Sequence, residues 1–120
     1  MQTPPAAPNA QTHPSPASLR AKAAAQNVND LANRVVRDVR VAYLNASNAF
    51  DRLALTAQLL DQARLALDLA QRRYDLGLGS IVELSQAQLN VTSAEIAGSS
   101  AQFDYQAQRA NLSYQIGALR

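Results

Sequence analysis

The sequence predicts an all-α fold, a long antiparallel coiled-coil helical hairpin. Alanine, leucine, glutamine and arginine dominate the 120 residues, which is the composition of long helices and coiled coils. All five prolines lie within the first sixteen residues, so none interrupts a helix further along the chain. Beyond them, apolar residues recur every seven positions along two stretches that a glycine-containing turn separates.

Residues 1–17 are rich in proline and polar residues and have no periodicity, so we expect them to be disordered. The first helix is predicted over residues 18–76, with Ser15 before Pro16, or Ser18, as its cap. Its first apolar series has small residues three positions after each member, and a second series lies about 200° around the helix. The first series is Val39, Ala46, Leu53, Leu60, Leu67 and Tyr74, with Ala42, Ala49, Thr56, Ala63 and Ala70, and the second is Val41, Leu55, Leu69 and Leu76.

The tip turn is predicted at residues 77–80, which have the signals that end one helix and begin the next. Gly77 accepts the left-handed backbone that a helix C-terminus often needs. Ser80 and Glu83 have the spacing of a capping box, in which the serine oxygen accepts a first-turn N–H and the glutamate accepts the serine N–H. Leu78 lies between two glycines, where its own hairpin can hardly bury it. An apolar tip favours a docking function over an enzyme.

The returning helix with a short tail is predicted over residues 81–120, and it has two apolar series on nearly opposite sides. Gly98 falls in the first series, where we expect it to allow close helix approach at a cost near 1 kcal/mol in helix propensity. The first series is Leu84, Val91, Gly98, Tyr105 and Leu112, and the second is Val82, Leu89, Ile96, Phe103 and Ala110.

Two opposed apolar sides on each helix predict a neighbour on each side. A sheet or barrel of helices meets this requirement, and so does a three- or four-helix bundle assembled from several chains. Periodicity alone does not separate these arrangements. The first helix is also longer than the second, so Leu31, Val35 and Val36 lack a partner within the hairpin.

Charge and composition exclude several classes of function. The net charge is only +2, and acids lie at helical spacing from the arginines, which indicates a solvated helix face and no nucleic-acid partner. Without cysteine there is neither a disulfide nor a thiolate zinc site. No run of apolar residues is long enough for a membrane-spanning segment, and the N-terminus lacks the order of a signal peptide. The ion pairs expected within the first helix, from the spacing of acids and arginines, are Asp61/Arg64, Arg64/Asp68, Asp68/Arg72 and Arg34/Asp38.

No catalytic, cofactor-binding or metal-binding residue is predicted. His13, the single histidine, has no base, nucleophile or metal ligand at a useful spacing. The carboxylate pairs Asp75 with Glu83 and Asp61 with Asp68 are better explained as solvated helix charges. We therefore expect no enzyme activity and no cofactor.

The order and spacing of several short motifs resemble the TolC-type outer-membrane efflux proteins over residues 19–118. The motifs are Val35-Val36-x-Asp38-Val39-Arg40-x-Ala42-Tyr43, Arg73-Tyr74-x-Leu76-Gly77, Ser80-Ile81-Val82-Glu83-Leu84, Gln86-Ala87-Gln88-Leu89 and the run from Ala101 through Phe103, Tyr105, Arg109, Leu112 and Tyr114 to Gly117. The resemblance implies a homotrimeric exit duct in the outer membrane and periplasm. Its partners would be a periplasmic adaptor (membrane fusion protein) and an inner-membrane pump, which export drugs, metals or other solutes. This chain resembles the second periplasmic hairpin only, a slice of an α-barrel wall.

The resemblance also implies roles for residues around the turn. The adaptor-docking tip would be Leu76, Gly77, Leu78, Gly79 and Ser80. The duct entrance would involve Tyr74, Glu83 and Gln86, although Gln86 replaces a second acid and Gly79 stands where a basic residue is expected. Capping is the simpler role for Glu83, core packing for Tyr74 and helix termination for Gly77, whereas Leu78 is better explained by docking.

Two other interpretations remain open at this point. A free-standing coiled-coil hairpin could oligomerise as a structural or interaction protein without any membrane role. The periplasmic adaptor's own hairpin is a second alternative, but it should have nearly equal arms flanked by β segments, and neither pattern is present.

Overall fold

The structure, a computed structural model, describes residues 2–4, 13 and 15–117. Its helices are α1, Pro16–Asp75, and α2, Ile81–Gln115. The described residues contain no strand, so the predicted all-α hairpin is confirmed. The chain divides into a unit of residues 1–35 and a unit of residues 36–120. Most of the segment 1–17, predicted to be disordered, lies outside the described residues.

In the first unit, α1 begins at Pro16, two residues before the predicted start. Ser15 provides the cap, because its Oγ accepts a hydrogen bond from the Ser18 N–H at 3.2 Å. Pro16 occupies the first helical position, where its missing N–H costs nothing. Leu31 and Val35 are exposed in this unit, as the sequence predicts.

In the second unit, the rest of α1 packs antiparallel to α2 along a seam of small side chains. On α1 every buried residue belongs to the predicted first series or lies three positions after a member, so the seam predicted for this helix is confirmed. On α2 only one of the four buried residues belongs to the predicted series, and the other three lie three positions after a member, where burial was not predicted. Seven of the eight are alanines, which contribute about 0.8 kcal/mol per buried methyl group. The buried residues are Ala42, Ala46, Ala49, Ala70, Leu84, Ala87, Ala94 and Ala101.

Three ion pairs cross from α1 to α2 in the antiparallel register. They join Arg52 to Asp104 at 3.2 Å, Arg64 to Glu95 at 3.6 Å and Arg73 to Glu83 at 3.3 Å. Between 38% and 59% of each of the six side chains is exposed, so each pair contributes at most about 1 kcal/mol to stability. Their main effect is to favour this alignment of the two helices, because every acidic side chain of α2 meets an arginine of α1.

The expected ion pairs within α1 form only in part. Asp68 and Arg72 pair as predicted, at 3.0 Å. Arg64 reaches across the hairpin instead of pairing with a neighbour on its own helix. Asp38 pairs with Arg37, the adjacent residue, and not with Arg34. The prediction was wrong at Arg64 because helical spacing ignores partners on the opposite helix, and at Asp38 because the adjacent Arg37 is the partner that it contacts.

The second apolar series of both helices is exposed. On α2, Ile96 is 63% exposed and Phe103 is 72% exposed, and on α1 Leu55 and Leu69 are equally open. Burying a side chain of this size fully is worth about 1.5–3 kcal/mol, more than an alanine methyl contributes. The hairpin therefore buries mainly alanines, with Leu84 as the one large buried side chain among the described residues, and leaves the larger residues of the second series uncovered.

Gly98 corrects one expectation, because it does not mediate a close helix approach. A Cβ built on Gly98 meets no atom within 4 Å. Beside it lies an open groove lined by Leu53, Thr56, Leu60 and Gln102. The glycine leaves a gap in the seam at this level, so the position has room for a side chain.

Gly98→Ala should therefore stabilise the hairpin. Alanine is favoured over glycine inside a helix by about 1 kcal/mol, and here it adds no steric conflict. We expect the thermal midpoint followed by circular dichroism to rise by about 4–8 °C. Gly77→Ala is the matched control and should lower the midpoint, because Gly77 has a φ of 72°. A lower midpoint for Gly98→Ala would contradict the open space seen at this position.

Candidate functional site

The candidate site is the tip turn between α1 and α2, and it begins with a Schellman motif. Gly77 adopts the left-handed conformation predicted for it, with a φ of 72°. Its N–H donates to the carbonyl oxygen of Tyr74 at 2.9 Å, and the N–H of Leu78 donates to that of Arg73 at 2.8 Å. These two bonds satisfy carbonyls that the helix end would otherwise leave unpaired.

The start of α2 forms only half of the predicted capping box. Ser80 has an extended backbone, and its Oγ accepts a hydrogen bond from the Glu83 N–H at 3.2 Å. Within residues 15–117, no hydrogen bond returns from the Ser80 N–H to the Glu83 side chain. That carboxylate pairs with Arg73 instead, so the predicted capping role of the Glu83 side chain was wrong.

The tip presents two leucines to solvent. Leu78 is 70% exposed, and Leu76 is similarly open at the end of α1. The backbone beneath them is held by hydrogen bonds, since the N–H of Leu76 donates to Arg72 and that of Gly79 to Arg73. The tip is thus an apolar surface on a hydrogen-bonded turn.

The residues predicted at the entrance do not form one cluster. Glu83 and Gln86 line the same shallow groove, together with Leu69 and Asn90. Gln86 donates from its Nε2 to the Asn90 Oδ1 at 3.0 Å. Tyr74 does not line this groove.

Tyr74 also departs from the packing role predicted by its place in the seven-residue series. It is 42% exposed, because it lies in the last turn of α1, where the packed part of the hairpin ends. The other members of the series are buried or half-buried, so only its final member is exposed.

Sequence reasoning missed the role of Arg73. This residue accepts two tip N–H groups at its carbonyl oxygen and forms the ion pair with Glu83. A signal was present, because a basic residue in the last turn of one helix and an acidic residue in the first turn of the next flank the same short turn. Both charges also suit the helix dipoles at those ends.

No group of three or more histidine, cysteine, aspartate or glutamate residues among the described residues is placed to hold a metal ion. The helices of this part of the chain include none that is long and apolar enough to cross a membrane.

A helical hairpin with an exposed apolar face and an exposed apolar tip defines a component of a larger assembly. The sequence matches the family described as outer membrane efflux protein over residues 16–118, a range that includes both helices. The chain belongs to this family, whose members are channel proteins rather than enzymes. Searches of curated proteins and of solved structures found no match.

Family membership confirms the resemblance drawn from the sequence motifs and indicates a component of an outer-membrane efflux channel. The alternative that this chain is the hairpin of a periplasmic adaptor therefore has no remaining support.

Proposed function

We propose that this hairpin forms part of the wall of the periplasmic duct of a TolC-type channel. Its tip would dock the periplasmic adaptor of a tripartite efflux or secretion system that includes an inner-membrane pump. The complete protein would be a homotrimer in the outer membrane, with Tyr74, Glu83 and Gln86 near the duct entrance. The exposed second apolar series on both helices is the observation that carries this proposal.

The wall requires each helix to have a neighbour on two sides. Inside the hairpin, one side of each helix is covered by the alanine seam. On the other side, Leu55 and Leu69 of α1 and Leu89 and Ile96 of α2 remain exposed. Further helices of the same channel would cover these residues, and the polar residues between the two apolar sides would face water.

Docking at the tip is supported by the chemistry of Leu76 and Leu78. Because the backbone of this turn is already ordered, covering its exposed leucines costs side-chain entropy but little backbone entropy. The adaptor would supply an apolar surface that fits over this turn. Gly77 supplies the left-handed backbone of this turn, Gly79 leaves room beside Arg73, and Ser80 caps α2.

A free-standing coiled-coil hairpin is the second candidate, and the same exposed series favours it. Copies of this chain could cover each other's apolar faces and form an oligomer. The two functions differ in what covers Ile96, which is either another part of the channel or a second copy of the chain.

Thiol labelling tests the wall directly, because the sequence has no cysteine. In the assembled channel, Ile96→Cys should react with a maleimide at least about tenfold more slowly than in the isolated chain. Gln88→Cys is the matched control, since Gln88 lies on a polar groove with Arg64 and Asp68 and should react at full rate in both.

Equal labelling rates of Ile96→Cys and Gln88→Cys in the assembled channel would contradict the proposal that this hairpin forms part of the duct wall. Slow labelling of Ile96→Cys in the isolated chain, with a trimer or larger oligomer by light scattering, would favour the free-standing hairpin.

A further inference from the structure

We propose that Arg73 is a positioning residue that holds Leu78 in one conformation through an ion pair with Glu83 beneath Gly79. We name Arg73, Gly79 and Glu83 the tip clasp. The proposal rests on the proposed docking function of the tip, because it assigns the residues that keep the docking surface in shape.

Arg73 acts on the turn through both its backbone and its side chain. Its carbonyl oxygen accepts the N–H of Leu78 at 2.8 Å and the N–H of Gly79 at 3.0 Å. Its Nη1 lies 3.3 Å from the Glu83 Oε1. One residue at the end of α1 is thereby bonded to the turn and to the first turn of α2.

The tip clasp explains why a second glycine follows Leu78. Gly79 does not have a positive φ, so backbone conformation does not require glycine here. A Cβ at this position would lie 3.2 Å from the Arg73 Cβ and 3.3 Å from the Glu83 Oε2. Gly79 therefore leaves room for the ion pair, since an alanine there would require the Arg73 or Glu83 side chain to shift by a few tenths of an ångström.

The neighbouring charges make contacts within α1 and do not compete for this role. Arg72 pairs with Asp68 on the preceding turn, at 3.0 Å. Asp75 accepts a hydrogen bond from the Gln71 Nε2 at 2.9 Å. Among the described residues, Arg73 and Glu83 form the one ion pair that joins the two helices at the turn.

The test is amide hydrogen exchange of Leu78 and Gly79, measured by NMR on the whole chain. Arg73→Gln should accelerate the exchange of both amides about two- to fivefold, the range expected for losing an exposed ion pair. In the unaltered chain, raising the ionic strength should accelerate exchange in the same direction, and Arg73→Gln should remove this salt dependence. Arg73→Lys should restore most of the protection, because lysine keeps the charge.

Arg72→Gln is the matched control, because it removes an ion pair that does not cross the turn and should leave both amides unchanged. Gly79→Ala should accelerate exchange as Arg73→Gln does. Unchanged exchange in Arg73→Gln, or equal effects of Arg73→Gln and Arg72→Gln, would overturn the clasp.

Efflux by the complete channel carrying Arg73→Gln separates the clasp from the docking function. Faster exchange with reduced efflux supports both the tip clasp and the docking function of the tip. Faster exchange with normal efflux supports an ordering role for the clasp and contradicts the need for a fixed docking surface.

Discussion

Leu78→Asp should abolish efflux by the complete channel while the hairpin stays folded. The side chain is 70% exposed and contacts no core residue, so its replacement should change the stability of the hairpin by less than about 0.5 kcal/mol. Docking would instead bury it against an apolar surface, where an unpaired carboxylate costs several kcal/mol. Efflux of a reporter dye from cells and circular dichroism of the chain measure the two effects separately.

Gln58→Asp is the control for added charge, because it places the same side chain on an exposed polar position of α1 far from the turn. It should leave efflux unchanged, and Leu78→Met should retain most of it. Normal efflux in Leu78→Asp would remove the docking role of Leu78 and leave the wall proposal untouched.

Ile96→Glu should prevent assembly of the channel without unfolding the isolated hairpin. Within the hairpin Ile96 is mostly exposed, so a charge there meets water. In the wall the same position would be covered, and the change would lose about 1.5–3 kcal/mol of apolar burial and add the cost of burying a charge at each copy. Light scattering of the solubilised channel should show loss of the proposed trimer.

Gln88→Glu adds the same charge to α2 outside the second apolar series, beside Arg64 and Asp68, and should leave the proposed trimer intact. Circular dichroism of both variants in the isolated chain should match that of the unaltered chain. A trimer that persists with Ile96→Glu would show that this side of α2 is not covered by a neighbour.

The parts of the fold that depend on local chemistry could be predicted from the sequence. Helix type follows from composition and periodicity, the buried seam from its seven-residue repeat, and the turn from Gly77 and Ser80. The cap at Ser15 was one of two alternatives, and local spacing could not choose between it and Ser18.

The parts that failed depend on how the two helices meet. Arg64 and Glu83 each have a plausible partner nearby in sequence, but both pair across the hairpin, because the turn sets which residues face each other. The gap at Gly98 has the same origin, since it depends on the residues opposite. The sequence also could not say what covers the second apolar series, because a barrel and a bundle of helices require the same repeat.

The alanine seam has a consequence for the dimensions of the duct. Helices that meet through alanines pack at the short end of the usual interaxial range, about 8 Å, whereas leucines hold them nearer 10 Å. The circumference of a ring of helices is the sum of these spacings. In a wall built from such hairpins, the duct diameter would therefore depend on the alanines of the seam, Ala46, Ala49, Ala87 and Ala94. Larger side chains at these positions would widen the duct without changing the residues that face its interior.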